Sequence, residues 1–170
     1  LLDRVDRLSD AIELWENLVR EIKQQLEMHE QRLKLLGDDS AVRHEFLDKL
    51  LNEEEELATS DPESPALRTI GVRVLEASHA ANYANSRVSG SRRRIRSLQE
   101  LLHRTLFFIG TGYYRMNERL EAQGEAPVKH HQEKEAEYYG LADDLRAEIL
   151  AEAAERVEQE RRKMLAPDIH

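Results

Sequence analysis

Cysteine is absent from the chain, so neither a disulfide framework nor a thiolate metal site can form, and an intracellular location is the easier reading. Four prolines and seven glycines are few for 170 residues, and aromatics make up 5% against 35% charged side chains. That balance favours long helices over a sheet or a disordered tail, and all-α is the expected class. No apolar run approaches the ~20 residues needed to cross a bilayer, and residues 1–20 lack the uninterrupted apolar core of a signal peptide, so no membrane contact is expected. Nucleophile triads and paired-carboxylate clefts are also missing. The "GTG" at 110–112 lacks the following lysine and the strand-to-helix setting of a phosphate loop. No catalytic residue, cofactor or small-molecule substrate is expected. The chain does not begin with Met and starts in mid-pattern, which reads as a fragment of a larger protein. One domain with a real core is the expectation for this length. The net charge of -9 argues against a nucleic-acid surface over the whole molecule and leaves room for a local basic patch.

What is present is a long apolar rhythm. Val5, Leu8, Ile12, Trp15, Val19, Ile22, Leu26, His29, Leu33 and Leu36 follow at spacings of three and four, the pattern of a heptad seam. Gly37 followed by Asp38, Asp39 and Ser40 predicts a helix stop and new N-cap candidates, giving helices over about 2–36 and 41–58, the second with Phe46, Leu47, Leu50, Leu51 and Leu57 as its apolar face. "TSDPESP" ends this stretch, with Pro65 suited to the first turn of the next helix. From Leu67 the rhythm resumes through Ile70, Val74, Ala77, Ala81, Ala84, Val88, Ser91, Ile95, Leu98, Leu102, Thr105, Ile109, Gly112 and Met116. The phase survives Gly90, so one helix over about 66–122 is expected, weakened or kinked by that glycine at a cost of ~1 kcal/mol. "AQGEAP" closes it. A last helix over about 129–163 carries Tyr138, Ala142, Leu145, Ile149, Ala153 and Val157.

The stretches 1–58 and 66–122 are nearly equal in length, each ~85 Å if helical at 1.5 Å per residue, and are expected to fold back on each other. An antiparallel register in which facing residue numbers sum to 127 or 128 brings the seams together: Ile12 with Met116, Val19 with Ile109, Leu26 with Leu102, Leu33 with Ile95. Trp15 then meets Gly112. The only Trp thus falls opposite a glycine pair, Gly110 and Gly112, that reads as a notch for its ring, with Tyr113 beside it and Tyr138 and Tyr139 as further core contacts whose hydroxyls reach solvent. The expected fold is a long antiparallel, coiled-coil-like hairpin with a C-terminal helix packing on its base to make a three-helix bundle.

The strongest functional signal is Arg87, Arg92, Arg93, Arg94 and Arg96, five arginines within ten residues with no acid among them. They suit phosphate or an acidic partner. Three consecutive arginines fan over more than half a helix circumference, and Asp38 and Asp39 fall nearby in the antiparallel register, so a solvated surface is the competing reading. The "EEEE" at 53–56 points in all directions and cannot converge on one metal ion. His130 and His131 lack ligand spacing, and His29 in the seam reads as a register-setting polar residue. No metal site is expected.

Three blocks, "AIELWENLVREI" (11–22), "RIRSLQELLHRTLFFIGTGYYRM" (94–116) and "EAEYYGLADDLRAEIL" (135–150), resemble in order the helical insert of SHPRH-like Swi/Snf-family helicase-fold ATPases, which carry a RING ubiquitin-ligase module. The family pattern has a Leu-Trp pair, a "LLHR..FF.G.AYY" block and a tyrosine-rich helix ending in "R.EIL". Residues 38–94 carry no part of it. The resemblance implies a nuclear, chromatin- or DNA-repair-associated parent that hydrolyses ATP on DNA and transfers ubiquitin, while this chain would be the non-catalytic arm between ATPase lobe and RING. It implies a protein partner: a ubiquitin-conjugating enzyme, a nucleosome or an accessory subunit. The alternatives are a DNA-binding element through Arg87–Arg96 and a purely structural or homo-oligomerising coiled coil, since heptads also drive self-association.

Overall fold

The computed structural model describes residues 2–165, with side chains from residue 7 onward. Val5's side chain and the closing "APDIH" fall outside these limits. Three helices follow one another: α1 (Leu2–Ser60), α2 (Pro65–Ala122) and α3 (Lys129–Leu165). The described residues form an all-α fold in which α1 packs against α2 and α2 against α3.

The turns are built from local chemistry. Ser64 caps α2, its Oγ accepting the Ala66 N–H at 3.4 Å, and Pro65 takes the first helical position, where its missing N–H costs nothing. At the other end of α2, Gly124 adopts a φ of 77°. Its N–H donates to the Glu121 carbonyl and that of Glu125 to the Leu120 carbonyl, both at 2.9 Å. This is a Schellman stop, for which glycine is the residue of least strain.

The chain divides into two compact units, one of residues 1–26 with 96–170 and the other of residues 27–95. α1 and α2 contribute to both. The first unit is a three-helix bundle whose core holds Ile12, Val19, Ile22, Leu98, Leu102, Leu106, Ile109, Met116 and Ala142, with Leu8, Trp15, Leu26, Tyr113, Tyr138 and Leu145 packed around them. Apart from Leu106 and Tyr113, these are the expected seams of α1 and α2, joined by the first half of the expected face of α3. In the second half Ile149 and Ala153 are half-buried, whereas Val157, expected in the seam, is 65% exposed.

The second unit is a two-helix hairpin. Its α2 face is made of small residues, Ala77, Ala81, Ala84 and Ser91 with Val88, and against it Leu36, Ser40 and Leu50 are buried. Small side chains on one helix let the other come close enough to exclude water. Phe46 and Leu51, expected on the apolar face, are instead 50% and 43% exposed; Leu47 and Leu50 occupy the seam.

The expected break at Gly37 does not occur: α1 runs through it to Ser60. The reason lies in the phase. Leu36 and Ser40 are both buried on the seam, four residues apart, which only a continuous helix achieves. Asp39 and Ser40 serve within the helix rather than as caps. Asp39 accepts from Arg43 at 2.9 Å and His44 Nδ1 lies 2.7 Å from the Ser40 carbonyl, both i,i+4 pairings. Burial on both sides of Gly37 outweighs its helix cost of about 1 kcal/mol. A Cβ at Gly37 would meet nothing within 4 Å, so Gly37→Ala should recover most of that cost, raising the melting temperature by about 2–4 °C. Circular dichroism melting measures this, and an unchanged or lowered midpoint would mean that α1 is not helical there. α2 is likewise helical through Gly90.

Candidate binding sites on the hairpin

The expected aromatic notch is two notches serving two helices. A Cβ on Gly112 would lie 2.9 Å from Ile12 Cγ1 and 3.5 Å from the Trp15 ring, so Gly112 admits α1 as the register requires. A Cβ on Gly110 would lie 2.8 Å from Tyr139 Cδ1, so Gly110 admits α3. Two residues on a helix point about 200° apart, and one glycine pair therefore opens opposite sides of α2. The reading of both glycines as a seat for Trp15 is corrected to Gly112 alone.

The tyrosine hydroxyls are also not free. Tyr138 stacks on Tyr113, with ring centroids 6.2 Å apart, and donates its O–H to the Glu16 carboxylate at 2.8 Å. Burial first, and then the hydrogen bond to Glu16, pushes the Tyr138 phenol well above its ordinary value; burial is likewise the main cause of the rise at Tyr113. Tyr139 tilts against Phe107 at 5.3 Å and its hydroxyl lies 3.1 Å from Thr111 Oγ1. Trp15, Gly110, Gly112, Tyr113 and Tyr138 thus hold the bundle together, and nothing in their geometry converges on a reacting atom.

The arginine cluster is divided by the helix. Arg87 and Arg94, seven residues apart and so on one face, line a cavity of about 250 Å³ together with Arg32, His29 and Leu36 of α1 and Gly90 and Ser91 of α2. Arg92, Arg93 and Arg96 do not line it. The Arg87 guanidinium also sits 5.9 Å from the Tyr83 ring centroid, a cation–π contact that fixes its direction. Two atoms of the lining residues are unusual: His29 Nδ1 and Ser91 Oγ are buried with no hydrogen-bond partner. Each such group costs about 1–3 kcal/mol when left unpaired. Of the five arginines that the sequence singled out, Arg87, Arg92, Arg93, Arg94 and Arg96, only Arg87 and Arg94 line this cavity. Arg32, 55 positions upstream of Arg87, carries no sequence signal linking it to them beyond the antiparallel register.

A second concavity, of about 500 Å³, lies along the same hairpin. Val42, Phe46, Ala77 and Ala80 supply its apolar surface, and Asp39, Arg43, Arg73 and Glu76 surround it with both signs of charge. Val42 is 65% exposed.

Among the described residues no group of three or more His, Cys, Asp or Glu side chains is placed to hold a metal ion, and no helix is long and apolar enough to cross a membrane. No family model, curated protein or solved structure matches this chain. The described residues define an all-α helical bundle continued by a two-helix hairpin.

Proposed function

We propose that the chain is a non-catalytic interaction arm of a nuclear, SHPRH-like, DNA-dependent ATPase and RING-type ubiquitin ligase, and that it holds a protein partner at a fixed position relative to those two activities. The observation that carries the binding role is the Val42–Phe46 concavity: half-exposed Phe46 and exposed Val42 on the hairpin, between Asp39, Arg43, Arg73 and Glu76. Large apolar side chains left in water cost solubility and are retained where a partner covers them. The charged rim of both signs suits a protein surface rather than a polyanion. The assignment to this ATPase class rests on the three sequence blocks, which lie almost wholly in the bundle unit; Gly110, Gly112, Tyr113 and Tyr138, which seat the helices of that bundle, are all within them.

A direct test is calorimetric titration of the chain with purified ubiquitin-conjugating enzymes and with nucleosomes. One of these should bind with a dissociation constant in the micromolar range, and Phe46→Asp, a substitution at an exposed position that leaves the seam intact, should weaken binding by tenfold or more, the size of an apolar anchor's contribution. If no member of the panel binds, or if Phe46→Asp binds as well as the parent chain, the arm is a spacer.

A further inference from the structure

The cavity between α1 and α2 has the chemistry of an oxyanion site. Three arginines, Arg32, Arg87 and Arg94, line one space of about 250 Å³. Guanidinium is charged at any physiological pH and presents its donors in a fork that fits tetrahedral oxyanions. Ser91 is 9% exposed, and its hydroxyl, like the Nδ1 of His29, has no hydrogen-bond partner. A helix can satisfy a hydroxyl locally, as exposed Ser86 does by donating to the Asn82 carbonyl at 3.0 Å and buried Thr105 to that of Leu101 at 2.8 Å. Ser91 makes no such bond, so its donor remains available beside the arginines.

Gly90 adds an independent sign. It stands in the interior of α2 and lines the cavity, and a Cβ there would meet nothing within 4 Å. No neighbouring helix requires this glycine, unlike Gly110 and Gly112, yet it carries the full helix penalty of a glycine. A missing side chain at the mouth of a cavity lets a ligand approach the backbone closely.

We infer that the cavity lined by Arg32, Arg87, Gly90, Ser91, Arg94 and His29 binds one phosphate monoester, of the kind that a phosphoserine or phosphothreonine side chain presents. Three cationic groups exceed what a carboxylate would balance, whereas a phosphate monoester carries nearly two charges and three acceptor oxygens for the guanidinium, hydroxyl and imidazole donors. A nucleic-acid backbone is less well served. A duplex needs a row of cations along its length, but Arg92, Arg93 and Arg96 lie off this site and the chain as a whole is at -9. That the phosphate belongs to a protein partner rests on the interaction-arm reading above; the site itself does not.

The experiment is a nuclear magnetic resonance titration of the full 170-residue chain, labelled with nitrogen-15, using inorganic phosphate, O-phosphoserine, sulfate and a 20-base-pair duplex as probes. Inorganic phosphate and O-phosphoserine should shift the Gly90 and Ser91 amides and the His29 ring saturably, with sulfate weaker. Arg94→Ala and Arg32→Ala, both at exposed positions, should each weaken phosphate binding about tenfold, as expected for loss of one charge-assisted pair. Ser91→Ala separates function from folding: it removes a hydroxyl that the free chain leaves unpaired, so it should hold or raise the melting temperature while weakening phosphate binding several-fold. Gly90→Leu should likewise preserve the fold and abolish binding. Shifts that fail to saturate with inorganic phosphate and O-phosphoserine would overturn the site. So would duplex binding that depends on Arg92 and Arg93 and is indifferent to Arg32 and Ser91, which would mark a nucleic-acid surface instead. Saturable phosphate binding with no protein partner in the calorimetric panel would keep the site and remove the partner reading; the reverse pattern would do the opposite.

Discussion

Gly110→Val should release α3 from the bundle, lowering the melting temperature by about 5–10 °C and removing hydrogen-exchange protection from residues 129–145 before any loss in α1. Gly110 is buried, and the first atom of any side chain would sit 2.8 Å from Cδ1, 2.9 Å from Cε1 and 3.3 Å from Cγ of Tyr139. Those are ring atoms near its root, so the ring cannot swing aside as the tip of a lysine could. It is held on two further sides, by Phe107 at 5.3 Å between centroids and by the hydroxyl contact to Thr111 at 3.1 Å. Overpacking of this kind costs about 1–3 kcal/mol, and valine adds two methyl groups to the clash. The better helix propensity of valine returns only a few tenths of a kcal/mol, so the steric term decides the sign. For a chain of this size about 2–3 kcal/mol converts to the stated shift in midpoint. The control is Gly140→Val in α3, where a Cβ meets nothing within 4 Å; it should leave the midpoint within about 2 °C. Equal effects at 110 and 140 would mean that Tyr139 does not seat on Gly110.

The contrast between the two glycines also says what a sequence pattern can report. Heptad spacing records the face of a helix that is buried most continuously, and for α1 and α2 it located the seam: Ile12, Val19, Ile22, Leu102, Ile109 and Met116 are all buried. A helix gripped from two sides has a second face, however, and in α2 that face is a few residues long. Gly110, Phe107 and Thr111 belong to it, and their spacing carries no periodic signal of its own. The break expected at Gly37 arose from local chemistry, Gly-Asp-Asp-Ser, which does favour a cap in isolation; burial of Leu36 and Ser40 overrode it, and the decisive partners lie on α2, far away in sequence. Val157 shows the opposite limit. Its spacing continues the α3 seam beyond the last residue that finds a partner, since an amphipathic pattern states which face would pack and not whether anything faces it. The arginine cavity was half legible: the local excess of charge was visible, whereas the choice of Arg87 and Arg94 over their neighbours, and the arrival of Arg32 and His29 from α1, depends on rotation about two helix axes.

Asn117→Leu should destabilise the bundle unit by about 1–2 kcal/mol and flatten its response to acid. Asn117 is 6% exposed and fastens the connection to α3 from within. Its Oδ1 accepts the Val128 N–H at 3.0 Å, its Nδ2 donates to the Val128 carbonyl at 3.3 Å, and His131 Nδ1 lies 3.1 Å from the same Oδ1. Because that oxygen can only accept, His131 must hold its proton on Nδ1 to join the clasp. Leucine has similar bulk but leaves the Val128 N–H unpaired, worth about 1–3 kcal/mol where water cannot replace the lost bond; the Val128 carbonyl keeps the His131 and Gln132 N–H donors at 3.0 and 3.3 Å, and Val128 is 40% exposed, which brings the expected cost to about 1–2 kcal/mol. The acid response follows from His131. Burial, and then the neighbouring His130, hold its pKa below the ordinary 6.5. The folded chain therefore binds fewer protons there than the unfolded chain does, and stability rises with pH through the interval between the two values. This contribution is complete above pH 6.5 and is lost as pH falls through the lowered value. Removing the clasp frees the imidazole to hydrate, its pKa returns toward the ordinary value, and the difference that drives the slope disappears. Urea unfolding at a series of pH values across this interval, for the parent chain and for Asn117→Leu, reads both effects at once. A variant that is less stable yet keeps the full acid slope would mean that His131 owes its lowered pKa to something other than the Asn117 clasp.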